Sequence, residues 1–159
     1  MTWQPGCDTI AELLAGGDLE QVAADERLAR RMLEDAGRHL DTGRTASKSD
    51  DLAGAYQLAY DALRKSAASL LAVQGLRATS RGGHVAVQQA VNAQFATTVR
   101  VFRAFGRIRR ARNSFEYPES DTGGPTADDV DDALTVAGES HAAAMTILDK
   151  QLLTPWTTP

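Results

Sequence analysis

The chain has 159 residues, a formal net charge of −4 and one cysteine, Cys7. A single cysteine excludes an internal disulfide and a thiolate metal cluster, and no apolar run is long enough for a membrane-spanning helix. Alanine and leucine are abundant and the Val/Ile/Thr runs that mark strands are missing. This composition predicts an all-α fold and a single domain over 1–159, with a core at about 18–153 and loose ends at 1–7 and 154–159. No basic-then-apolar leader opens the sequence, so a cytoplasmic protein is expected.

In chain order, Asp8 or Thr9 can cap a short helix over Ile10, Leu13 and Leu14, stopped by Gly16-Gly17. Asp18 reads as the cap of a longer helix to about Thr42, with Leu19, Val22, Ala29, Leu33, Ala36 and Leu40 as its stripe. After a polar loop, Gly43 to Ser49, a helix starts at Ser49 or Asp50 and ends at Gly75, a C′ glycine. Leu52, Tyr56, Ala59, Leu63, Leu70 and Val73 mark its buried side. Asp61 and Lys65 stand four apart in the favourable order for an ion pair.

Leu76 to Gly83 is a basic turn carrying Arg77 and Arg81. Gly82-Gly83 has the freedom to approach a phosphate, although the P-loop lysine pattern is absent. His84 opens a helix packed through Val85, Val87, Ala90, Val91 and Phe95. The stretch Val99 to Pro118 forms the next helix. Thr126-Ala-Asp-Asp129 then predicts a capped final helix with the stripe Val130, Leu134, Ala137, His141, Leu148 and Leu152, in which His141 is a hydrogen-bonded core histidine. Asp128, Asp129, Asp131 and Asp132 fan out on that helix with no His or Cys beside them, so neither a metal site nor a cofactor is predicted. The sum is an up-down bundle of four long helices plus one or two short ones.

The stretch Val99–Pro118 holds six arginines. On a helix, Val101, Phe105, Ile108 and Phe115 share one side, and Arg100, Arg103, Arg107 and Arg110 the other. Arg112 falls near the middle of the apolar stripe. A guanidinium is always charged and costly to bury alone. It must therefore pair with an acid, line a cleft or subunit interface, or sit where the helix frays.

Charge is separated along the chain as well. From Ala62 to Phe115 there is no Asp or Glu, and the segment carries +10, against −14 for the remainder. Such asymmetry suggests a polyanion-binding face. The plainer reading is that basic and acidic helices pack together and neutralise each other.

Arg112-Asn113, three residues, then the aromatic Tyr117 just before a helix end resembles the signature of the HEPN domain family, small all-helical bundles of prokaryotic toxins, defence proteins and nucleotidyltransferase partners. The run from Tyr60 to Arg77 and the turn Arg81-Gly-Gly-His84 are similar to members of the same group, so the resemblance covers about Asp50 to Pro118. It implies a homodimer with the site at its two-fold axis and, in active members, metal-independent cleavage of RNA by attack of a ribose 2′-hydroxyl. On that reading the catalytic positions are Arg112, Asn113 and Tyr117, with Arg103, Arg107, Arg109, Arg110, Glu116, Tyr60 and His84 contacting RNA or nucleotide.

Arg112 suits a cation that holds a phosphate in two places. Tyr117 stands where the family's active members carry His. With an ordinary pKa near 10 it is a weak base at neutral pH. Glu116 is a neighbouring base or a partner for Arg109 or Arg112, and His84 is a possible source of the missing imidazole. Three readings follow: a non-catalytic HEPN-like module that binds RNA or nucleotide, or holds a nucleotidyltransferase; an endoribonuclease of toxin or defence type, with an antitoxin partner; and a structural dimerisation bundle.

Overall fold

Helix α3 (Leu52–Gln74) is apolar nearly all the way round, and the bundle is built about it. The computed structural model describes residues 3–121 and 123–159. In chain order the elements are α1 (Cys7–Ala15), β1 (Leu19–Gln21), α2 (Glu26–Ala46), α3, β2 (Leu76–Ala78), α4 (Gly83–Phe95), a 3-10 turn (Arg100–Ala104), α5 (Phe105–Glu116) and α6 (Ala127–Asp149). The Asp51 carboxylate starts α3 by accepting from Gly54 N at 2.9 Å. Gly75 ends it at φ 71, where a side chain would be strained and its Cβ would meet the Val22 carbonyl at 2.6 Å. Small residues along α3, among them Ala55, Ala59, Ala62 and Ala67, are fully buried and let α2 and α6 approach closely. The buried Ser66 hydroxyl donates a hydrogen bond to Ala62 O at 2.7 Å.

The architecture is mostly helical, as composition predicts, but it departs from four long helices. Three are long: α2, α3 and α6. The basic half of the chain is instead broken into α4, the 3-10 turn and α5: α4 and α5 pack on α3, and the 3-10 turn lies against α4 and α6. The helix expected from Asp18 does not begin there. Leu19–Gln21 pairs antiparallel with Leu76–Ala78, Leu19 opposite Ala78. Leu19 and Leu76 are buried, while Glu20 meets Arg77 across the outer face at 2.6 Å. The residues have a helical stripe, but the strand formed after the Gly75 turn offers them backbone partners, as in Val22 N to Gly75 O at 2.8 Å. The true cap of α2 is Asp25, which accepts from Leu28 N at 2.9 Å. At α6 the predicted capping box of Thr126 and Asp129 is present in both directions.

The expected Asp61–Lys65 pair does not form. Arg64 approaches Asp61 at 3.8 Å, while Lys65 donates to His39 Nε2 at 2.8 Å and lies 3.8 Å from Asp35. The ends are also tied down. Trp3 stacks on Phe95 with ring centroids 5.3 Å apart. Trp156 is buried and its N–H donates to Gln74 O at 2.8 Å. Met1 and Thr2, part of the expected loose N-terminus, lie outside the described residues. α1 starts at Cys7 behind Gly6, without the side-chain cap expected of Asp8 or Thr9.

Inside the core, Gln74 and Gln94 exchange two amide hydrogen bonds, at 2.7 and 3.0 Å. Removing one partner strands the other. Gln94→Leu is expected to cost about 1–3 kcal/mol, and the double change to leucine to recover much of that loss. Urea unfolding of the two single variants and the double one measures this coupling; simple additivity would contradict it.

Candidate nucleotide and phosphate site

The Arg112 site is assembled from three helices. Tyr60, on α3, is fully buried, and its hydroxyl lies 2.8 Å from His84 Nδ1 at the start of α4. Its ring is edge-on to Phe105 of α5, centroids 6.3 Å apart. Arg112, also on α5, places its Cζ 5.4 Å from the Tyr60 ring centroid and 5.9 Å from that of Tyr117. The cation thus lies between two aromatic rings. Its Nε donates to Gln57 Oε1 at 2.6 Å, and its Nη1 to Asn113 Oδ1 at 3.1 Å.

Two of the three accounts of Arg112 do not hold in this geometry. No carboxylate pairs with it among the described residues, and α5 continues to Glu116, so the helix is not fraying there. Arg112 is half-buried and held by neutral groups that orient it without cancelling its charge. Arg109 is held likewise. It is half-buried and donates from Nε to Gln88 Oε1 at 2.8 Å, one turn beyond His84 on α4. Arg64, one turn beyond Tyr60 on α3, completes the group, and its buried Nε has no hydrogen-bond partner.

Of the ten basic residues between Ala62 and Phe115, five have a carboxylate within 4.0 Å: Arg64, Lys65, Arg77, Arg81 and Arg107. Neutralisation by acidic neighbours therefore accounts for half the basic segment. The other five, Arg100, Arg103, Arg109, Arg110 and Arg112, have none among the described residues. Arg107, expected to contact a ligand, instead binds Asp132 of α6 at 2.7 Å. Arg103 donates from Nε to Ala96 O at 2.9 Å and closes the end of α4. Arg100 and Arg110 are exposed. Glu116 is exposed and pairs with neither Arg109 nor Arg112. Tyr117 is 69 % exposed.

The Tyr60 phenol is pushed up to about 12, chiefly by burial, with Arg64, Arg112 and Arg109 opposing. It stays protonated throughout the physiological range. His84 is held below the ordinary imidazole range by partial burial and then by Arg64 and Arg112, against the pull of Asp61. It is therefore neutral at pH 7, exposed on its outer side, with Nδ1 engaged by Tyr60. Its lowered pKa means the unfolded chain binds a proton more readily. The stability share from His84 is complete above about pH 6.5 and shrinks as pH falls below that value. An NMR titration should place the His84 midpoint below the free value, and His84→Gln should flatten part of the acid-side loss in thermal midpoint. A His84 midpoint at or above the free value would contradict this.

His141 does not reach this site. It lies between α2 and α6, with Nε2 2.8 Å from Leu33 O, as expected of a core histidine. Gly82 has no room for a phosphate, because its α-carbon abuts the Asp18 carbonyl. Gly83, at φ 53, faces open space. Comparisons with family models, curated proteins and solved structures found no match. The cluster must be judged on its own geometry. In the sequence Arg64 stands out only as one charge of the basic segment, and Gln57 and Gln88 do not stand out at all. The two amides carry no charge to draw notice, and the available signal was spacing alone: Gln57, Tyr60 and Arg64 share one face of a helix.

Proposed function

We propose that this protein is a HEPN-like helical module that binds RNA or a nucleotide through the α5 arginines, centred on Arg112. The observation that carries this reading is the half-buried pair Arg109 and Arg112. Both are oriented by neutral amides, have no carboxylate partner among the described residues and flank the Tyr60–His84 pair. Fixed guanidinium forks are well suited to phosphate oxygens. A homodimer and a nucleotidyltransferase or antitoxin partner belong to the same reading through the family resemblance. The test is binding of single-stranded RNA across a salt series. Released counterions make log Kd depend steeply on log salt, and a flat dependence would count against the reading.

One observation favours an endoribonuclease as the second reading. Through Tyr60, the His84 imidazole joins the Arg112 cluster, which lacks a histidine at position 117. A neutral imidazole with one nitrogen anchored has its other nitrogen for proton transfer. Cleavage of labelled RNA in EDTA that leaves cyclic phosphate ends and is lost in His84→Gln and Arg112→Ala would establish it. Tight binding without cleavage would leave the binding module.

A further inference from the structure

Three arginines border the Tyr60–His84 pair. Arg64 stands one turn beyond Tyr60 on α3, Arg112 of α5 places its Cζ 5.4 Å from the Tyr60 ring, and Arg109 of α5 is held by Gln88, one turn beyond His84 on α4. The carboxylate beside them is Asp61, loosely placed at 3.8 Å from Arg64. Arg64 Nε is a buried donor with nothing to donate to. His84 has engaged Nδ1, and its second ring nitrogen has no partner among the described residues. Tyr117 has one face toward Arg112 and, being 69 % exposed, its other face open.

The arrangement is a convergence, not a track. An internal phosphodiester presents one negative charge and two free oxygens. A phosphomonoester presents nearly two charges and three terminal oxygens, which matches several forks and an imidazole meeting at one place. A polynucleotide backbone would call for arginines spaced along a groove. An open aromatic ring beside the cations suits a base, since stacking on tyrosine is tolerant of base identity.

We propose that the cluster is a site for a terminal phosphomonoester, the phosphorylated end of an RNA strand or a nucleotide, with the phosphate against Arg64, Arg109 and Arg112 and the adjoining base stacked on Tyr117. This rests on the reading of the α5 arginines as phosphate-binding and narrows it to one chemical group. Tyr117 then serves as a platform, and His84 as a hydrogen-bond partner of the phosphate, positioned by Tyr60.

The experiment uses the full chain and an internally labelled single-stranded RNA in three forms: 5′-phosphorylated, 3′-phosphorylated, and hydroxyl at both ends. Fluorescence anisotropy near neutral pH, in phosphate-free buffer, measures each Kd. At least one phosphorylated form should bind about tenfold tighter than the hydroxyl form, as charge-assisted bidentate contacts imply. The gain should vanish in Arg109→Gln and Arg112→Gln, persist in Arg100→Gln, and shrink in Tyr117→Ala, with unchanged circular dichroism in each variant. Unlabelled nucleoside 5′-monophosphate separates the two sources: efficient displacement marks a free nucleotide, and displacement by phosphorylated RNA alone marks a strand end. Equal binding of all three RNAs, still steeply salt-dependent, would overturn the monoester site and leave RNA binding standing. Absence of binding by any RNA and by the nucleotide would overturn both.

Discussion

Arg112→Ala should weaken RNA binding by about tenfold to a hundredfold, the loss expected when a charged group that makes two hydrogen bonds to a phosphate is removed. Arg112→Lys should fall nearly as far. Lysine keeps the charge but has no planar fork, and it cannot both donate to Gln57 and face a phosphate in two places. The fold should tolerate either change, because no buried carboxylate is left without its partner and the neighbours are neutral amides and ring faces. The check is a pair of measurements: RNA titration at constant salt, and thermal unfolding, where the midpoint should move by only a few degrees. Unchanged affinity in Arg112→Lys would remove Arg112 from the centre of the site. A collapse of the fold in Arg112→Ala would make it a structural residue.

The second large effect belongs to the approach to that helix. Phe102 is 0 % exposed and lies against Phe95 at 6.3 Å between centroids, whereas its neighbour Val101 is half-buried. Phe102→Ala should cost about 3–5 kcal/mol, as other full truncations of buried aromatics do. Val101→Ala should cost about 1 kcal/mol or less, in keeping with a partly exposed side chain. Denaturant unfolding of the two variants measures the difference. A continuous α-helical register from Val99 would reverse the order, so the comparison also tests the 3-10 turn. Affinity for RNA in the folded fraction of Phe102→Ala should survive, since among the described residues no hydrogen bond or ring contact joins Phe102 to the arginine cluster.

That contrast shows how far the residues alone could be followed. A regular helix from Val99 puts Val101 on the buried stripe and leaves Phe102 unassigned. The 3-10 turn advances about 120° per residue instead of about 100°, which exchanges the two. Only packing against Phe95 of α4 and against α6 favours the tighter turn. The segment Leu19–Gln21 departs from its local pattern for a related reason. Its local pattern suits a helix, and its strand partner lies 57 residues away in sequence for Glu20 and Arg77. Trp156 is a third case: nothing in a Pro-flanked tail signals that Gln74 O will receive its N–H.

By itself the sequence determined the local, periodic features. These are the mostly helical class, the Gly75 stop with its positive φ, the capping box at Thr126, the apolar stripes of α3 and α6, the unusual placement of Arg112 and the gap in acidic residues between Ala62 and Phe115. Each depends on neighbours within one or two helical turns, where spacing dictates contact. Tertiary structure decided which arginines are spent on ion pairs and which remain uncompensated, because partners such as Asp132 and Glu20 sit in distant segments. It alone brought His84 to Tyr60, 24 residues apart and 2.8 Å in space, and set the amides of Gln57 and Gln88 against the two half-buried guanidiniums. Hydrogen bonding between side chains on different helices has no periodic trace in a chain, so the composition of the cluster emerged only when α3, α4 and α5 packed together.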